Sequence, residues 1–139
     1  MTTSPAQILQ TILANPLDVA KVKSLTTADV TYVSLSEDNP ELKRYMPWTG
    51  THKGPESLVD VLTAVGKAWE TKAFVVRDVI EQGDSVAMFG SFTYRGRESG
   101  KEITSPFSIL AKVKDGRVHY IQFMEDTFGT SGTVGRPRA

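Results

Sequence analysis

Residues 73–127 hold four strand-like runs in close succession, and this pattern limits the chain to folds built round an antiparallel meander. The run 73–81 stops at Gln82-Gly83-Asp84, and 85–94 stops at the polar stretch 96–101. The run 103–114 stops at Asp115-Gly116, and 117–127 closes the series. Asp-Gly is a strong two-residue hairpin signal because both positions tolerate positive φ. Each run is rich in β-branched and aromatic residues, as strands are.

The first half of the chain reads differently. Ser4-Pro5 predicts a helix start, since serine caps free backbone N–H groups and proline suits the first helical position. Ile8, Leu9, Ile12 and Leu13 share one helical face, and Asn15-Pro16 stops the helix. A second short helix is expected from Asp18, with Val19, Val22 and Leu25 as its apolar stripe. Residues 30–35 read as a strand. Residues 36–54 carry Pro40, Pro47, Gly50 and Gly54 and predict a long loop, of the kind that is often functional. Its Tyr45-Met46-Pro47-Trp48 segment is too apolar to stay in water and must fold back on the body. Gly54-Pro55-Glu56 opens the clearest helix, where Leu58, Leu62, Val65 and Trp69 form one stripe. Helices segregated ahead of antiparallel strands indicate α+β, with helices covering one face of a curved sheet.

A chain of 139 residues is one domain at roughly 100–200 residues per domain. Lys+Arg and Asp+Glu are 16 each, so the net charge is zero, which argues against a protein that coats nucleic acid. The absence of cysteine excludes a disulfide scaffold, a thiolate zinc site and a cysteine nucleophile. No apolar run approaches the ~20 residues that span a bilayer, and the N-terminus lacks a basic leader pattern, so a cytoplasmic protein with no membrane partner is expected. His52 and His119 are far apart and share no metal-ligand motif. There is no G-x-G-x-x-G, no Walker lysine and no G-x-S-x-G elbow. No metal and no cofactor are expected.

The order of elements and four short motifs resemble the nuclear transport factor 2-like superfamily, and within it SnoaL-like polyketide cyclases, ketosteroid isomerases and limonene epoxide hydrolases. Asp29-Val30-Thr31-Tyr32 is similar to the first strand of that family. Trp48-Thr49-Gly50-Thr51-His52-Lys53-Gly54-Pro55-Glu56 resembles its turn into the third helix. Asp115-Gly116-Arg117-Val118 is similar to its last hairpin, and Asp126-Thr127 to the pair that often closes its last strand. The resemblance implies a cone: a curved, mostly antiparallel sheet round a deep pocket, packed against three helices of the N-terminal half. It implies a single SnoaL-like domain over residues 1–128, and the residues 129–139, rich in Gly, Thr, Pro and Arg, read as a flexible tail. Family members often dimerise through the outer sheet face, so a homodimer is expected. Members include isomerases, cyclases, hydrolases and non-catalytic binding modules, so fold does not give function.

The resemblance also marks departures. Where isomerase-like members carry a carboxylate after the first-strand aromatic, this chain has Ser34. Where the epoxide hydrolases carry an Asp–Arg–Asp set, it has Gly90, Phe92 and Phe123. Strand alternation puts Tyr32 with Ser34, Met88 with Gly90 and Phe92, and Phe123 with Glu125 on the pocket face. A cavity of that kind suits a small hydrophobic ligand held by one or two polar contacts. The expected catalytic set is Tyr32 as hydrogen-bond donor, with Glu125, Asp126 or His52 as proton relay. Glu125 and Asp126 are adjacent, so at most one of them points inward. The expected pocket set is Ser34, Trp48, Met88, Phe92, Phe107 and Phe123. His119 is expected on the outer face. Three readings stay open: a cofactor-free isomerase, cyclase or hydratase; a non-catalytic ligand- or partner-binding module; and a structural dimerisation domain whose pocket is filled by Phe92, Phe107 and Phe123.

Overall fold

A computed structural model describes residues 3–135. The first helix, α1 (Pro5–Ala14), begins in a reciprocal cap: Gln7 N donates to Ser4 Oγ at 3.2 Å and Ser4 N donates to Gln7 Oε1 at 2.9 Å. It buries Ile8, Leu9 and Ile12. After Asn15-Pro16, α2 (Val19–Leu25) is capped by Asp18, whose carboxylate accepts from Lys21 N at 3.1 Å. The strand β1 (Thr26–Ser34) follows directly.

The segment read as a loop contains two short elements. Asn39 caps α3 (Pro40–Lys43), and β2 (Gly50–Lys53) pairs antiparallel with β1. Four residues are too few for a sequence period to show; the edge of β1 supplies the pairing. Met46 is fully buried, so this segment does fold back on the core. Gly54, at φ 91°, then turns the chain into α4 (Pro55–Ala68). Trp69 ends the predicted helical stripe but belongs to the next strand, with extended backbone at φ −130° and ψ 147°.

The meander forms as four long strands, β3 (Trp69–Gln82), β4 (Ser85–Gly96), β5 (Glu102–Lys114) and β6 (Arg117–Glu125). Asp115 and Gly116 both take positive φ, 52° and 77°, as the hairpin signal requires. The six strands are ordered β2-β1-β6-β5-β4-β3. All neighbours are antiparallel except β1 and β6, which run parallel. Bulges at Lys72 and Arg77 in β3 and at His119 in β6 break the register and bend the sheet. At Gly90 the edge strand β3 comes close to the backbone of β4 opposite Val75 and Val76. A Cβ there would lie 1.9 Å from the Val75 carbonyl oxygen, so only glycine admits the edge strand. The helices α1 and α4 lie across the concave face, and Leu9, Ile12, Leu58, Met88, Phe92 and Ile109 pack between the layers.

The end of the chain corrects the sequence reading. Asp126 does not extend β6; its carboxylate accepts from Gly129 N at 3.0 Å and caps a short helix, α5 (Thr127–Ser131). Thr130, Ser131 and Thr133 are buried, and the Trp69 indole N–H donates to Thr133 Oγ1 at 2.7 Å. Residues 129–134 of the expected tail therefore pack against the body. Residues 136–139 of that expected tail lie outside the described residues. No described helix is long and apolar enough to cross a membrane.

Candidate functional site

Between the concave sheet face and the helices lies a cavity of about 570 Å³. Its floor is built by strand alternation: Tyr32 and Ser34 from β1, Met88 and Tyr94 from β4, Ile109 from β5, and Ile121, Phe123 and Glu125 from β6. Leu58, Leu62 and Val65 from α4 and Ile12 and Leu13 from α1 form the opposite wall. Trp48 closes one side; its ring meets Trp69 edge-on at 5.3 Å, and Trp69 stacks on Tyr94 at 5.3 Å. The size falls within the 300–1,000 Å³ common for ligand pockets.

Tyr32, Ser34, Tyr94 and Glu125 lie close enough in this mainly apolar chamber to act on one another. Glu125 Oε2 is shut off from solvent and has no hydrogen-bond partner. Burial pushes the Glu125 carboxyl up to about 7; the Thr130 hydroxyl facing it from α5 offsets part of that rise, and the adjacent Asp126 charge adds to it. Burial likewise pushes the Tyr32 phenol far above its ordinary range, with the neighbouring Tyr94 and Glu125 adding and the Ser34 hydroxyl opposing. Tyr94 is raised in the same way, by burial and then by Glu125. The result is a carboxyl that holds or releases a proton near neutrality, beside two phenols that remain neutral donors. A hydroxyl-bearing pocket with one such carboxyl can polarise a carbonyl and move a proton on an adjacent carbon.

Of the residues expected from the sequence, Tyr32, Ser34, Trp48, Met88, Phe123 and Glu125 line the cavity. Four do not. His52 sits opposite Tyr32 in the β1–β2 ladder, but its Nε2 lies 2.7 Å from the Trp48 carbonyl oxygen, so the ring ties the loop rather than facing a ligand. Asp126 is spent on the α5 cap, which settles that Glu125 is the inward member of the pair. Phe92 and Phe107 are buried behind the wall, where Phe107 stacks between Phe74 at 4.6 Å and Phe123 at 5.6 Å. A cavity of about 570 Å³ stays open beside these rings, which overturns the reading of a filled, purely structural core. His119 is half-buried at the β6 bulge.

Sequence reasoning missed Tyr94 and Thr130. Tyr94 carried a signal, since alternation through Met88, Gly90 and Phe92 reaches it next. Thr130 carried none, because its place depends on how α5 packs. Among the described residues no group of three or more His, Asp or Glu is placed to hold a metal ion. The cavity lining contains no Lys, Arg or His among the described residues.

A curved, mostly antiparallel sheet closed by helices over an apolar chamber, together with the family match below, defines a protein of the nuclear transport factor 2-like superfamily. Residues 12–121 match the model of the SnoaL-like domain, and the chain belongs to that family. It is similar to patulin synthesis protein F of Aspergillus clavatus, 43% identical over 121 residues, covering 85% of this chain and 61% of that protein. The chain thus spans about three fifths of the length of the curated relatives it matches. Among solved structures it resembles an NTF2-like protein from Burkholderia xenovorans LB400, with a TM-score of 0.80 at 18% identity, covering 97% of this chain and 98% of that one. It also resembles TerC co-crystallised with polyporic acid, with a TM-score of 0.75 at 21% identity, covering 95% and 98%.

Proposed function

We propose that this protein binds a small, neutral, mainly apolar molecule in its cavity and catalyses a cofactor-free proton transfer on it, as an isomerase, cyclase or hydratase does. The observation that carries the reading is Glu125: the one carboxyl among the described residues lining an apolar chamber, with one oxygen buried without a hydrogen-bond partner and its pKa brought to about 7. A general base is most effective when its pKa lies near the working pH. In the proposed step the Glu125 carboxylate takes a proton from a carbon next to a carbonyl. The electron pair moves onto the carbonyl oxygen, and Tyr32 or Tyr94 donates a hydrogen bond to it. Return of the proton to another carbon completes an isomerisation; in a ring closure the enolate carbon instead attacks a second carbonyl carbon of the same molecule, and protonated Glu125 returns its proton to the alkoxide formed. The relative's involvement in patulin synthesis and TerC's co-crystallisation with polyporic acid both fit a small oxygenated organic ligand.

The test is deuterium incorporation into a panel of neutral cyclic ketones and lactones in D2O, followed by NMR. We expect exchange by the native protein and a loss of about 10²–10⁴-fold in Glu125→Gln, with ligand affinity kept within a few fold. Exchange that survives the substitution refutes Glu125 as the base. Binding without exchange in the native protein favours the second reading, a non-catalytic binding module, which the Ser34 in place of a second carboxylate supports.

We also propose that two copies pair through the convex sheet face. Val75, Ile80, Phe89 and Met124 stand on that face and are 39–57% exposed, and large exposed apolar groups grouped in this way mark interaction surfaces.

A further inference from the structure

Exposure along the cavity lining shows where the chamber opens. Tyr32, Met88 and Ile121 are buried, whereas Leu17 is 57% and Phe74 is 41% exposed. Gln10, Ala14, Gly66 and Thr71 complete an exposed rim. The mouth therefore lies between the end of α1, the last turns of α4 and the edge strand β3. None of these rim residues is charged.

Gly66 is an anomaly on that rim. On α4, Leu58, Leu62 and residue 66 follow one another at four-residue spacing, so all three face the cavity. The first two positions carry large apolar side chains; the third carries none. The backbone does not call for glycine there, since Gly66 is inside the helix and its φ is not positive. Crowding does not call for it either, because a Cβ at Gly66 would meet nothing within 4 Å. Its carbonyl accepts from Arg97 Nε at 2.9 Å, a contact that any residue could provide. Glycine inside a helix is destabilising relative to alanine. What its absent side chain leaves is open space at the mouth.

We propose that Gly66 sets the length of ligand this cavity accepts: a neutral, elongated molecule whose polar end lies at Glu125 and whose apolar end passes Gly66 between Leu17 and Phe74. The inference rests on the ligand-pocket reading above. Any side chain at position 66 narrows the passage without touching the floor, so short ligands and long ligands respond differently.

The experiment is calorimetric titration with two neutral probes, 2-naphthol as the short one and N-phenyl-1-naphthylamine as the long one. The proteins are the native chain, Gly66→Ala, Gly66→Leu and Gly66→Phe, each checked for a cooperative melt. Alanine is expected to raise the melting temperature by about 2–4 °C, the scale of removing one helix glycine in a domain of this size. It should bind both probes. Leucine and phenylalanine are expected to keep 2-naphthol within threefold and weaken the longer probe at least tenfold. Equal binding of the longer probe by all four proteins overturns the role of Gly66 and leaves the pocket reading standing. Equal loss of both probes in folded leucine and phenylalanine variants also overturns it, since the floor is then affected. A native protein that binds neither probe overturns the pocket reading itself.

Discussion

Glu125→Gln is expected to make this protein more stable above neutral pH and to leave it unchanged in acid. Burial carries the Glu125 carboxyl from its ordinary 4.5 to about 7. The folded protein therefore holds this proton over a pH range in which the unfolded chain has lost it. Stability is full below about pH 4.5, falls as pH rises towards 7, and is lowest above 7, where a bare carboxylate sits in the chamber. At roughly 1.4 kcal/mol per pH unit, that fall is at most about 3.5 kcal/mol. Glutamine has the same shape and no charge, so it removes the dependence. The assay is thermal unfolding of both proteins from pH 4 to pH 8.5. The variant should melt within 1–2 °C of the native chain at the acid end, on the scale of ~0.5 kcal/mol, and about 10 °C above it at pH 8.5. A gap that does not change with pH refutes the reasoning, because it would mean that Glu125 carries the same charge in folded and unfolded chains.

Three further outcomes are expected. Gly90→Ala forces a Cβ against the Val75 carbonyl oxygen and should cost about 3 kcal/mol or more in denaturant unfolding; a near-neutral effect would show that the edge strand yields. Thr133→Val leaves the buried Trp69 indole N–H without its acceptor and should cost about 1–3 kcal/mol, with a change in tryptophan emission. Phe89→Asp places a charge in the middle of the convex face and should convert a dimer to a monomer in sedimentation equilibrium, while melting remains cooperative. A native chain that sediments as a monomer at micromolar concentration refutes that interface.

Much of the architecture was legible in the sequence because it rests on local physics. Ser4-Pro5 and Asp18 start helices by satisfying free N–H groups, and Asp115-Gly116 turns the last hairpin because both residues accept positive φ. Period-two alternation assigned Tyr32, Ser34, Met88, Gly90, Phe92, Phe123 and Glu125 to one sheet face, and all but Gly90 and Phe92 line the cavity. Distance along the chain decided none of what lay beyond. β2 pairs with β1 across a turn with no period of its own, and β6 lies parallel to β1 although some 90 residues separate them. The segment after Glu125 looked polar and loose, yet it packs because Trp69 offers a buried N–H that Thr133 satisfies. That packing brings Thr130 to Glu125, and capping α5 takes Asp126 away from the chamber. The residue types of the site belong to the sequence. Whether a carboxyl meets water, a helix end or an apolar chamber depends on what surrounds it, and only the tertiary structure decides that.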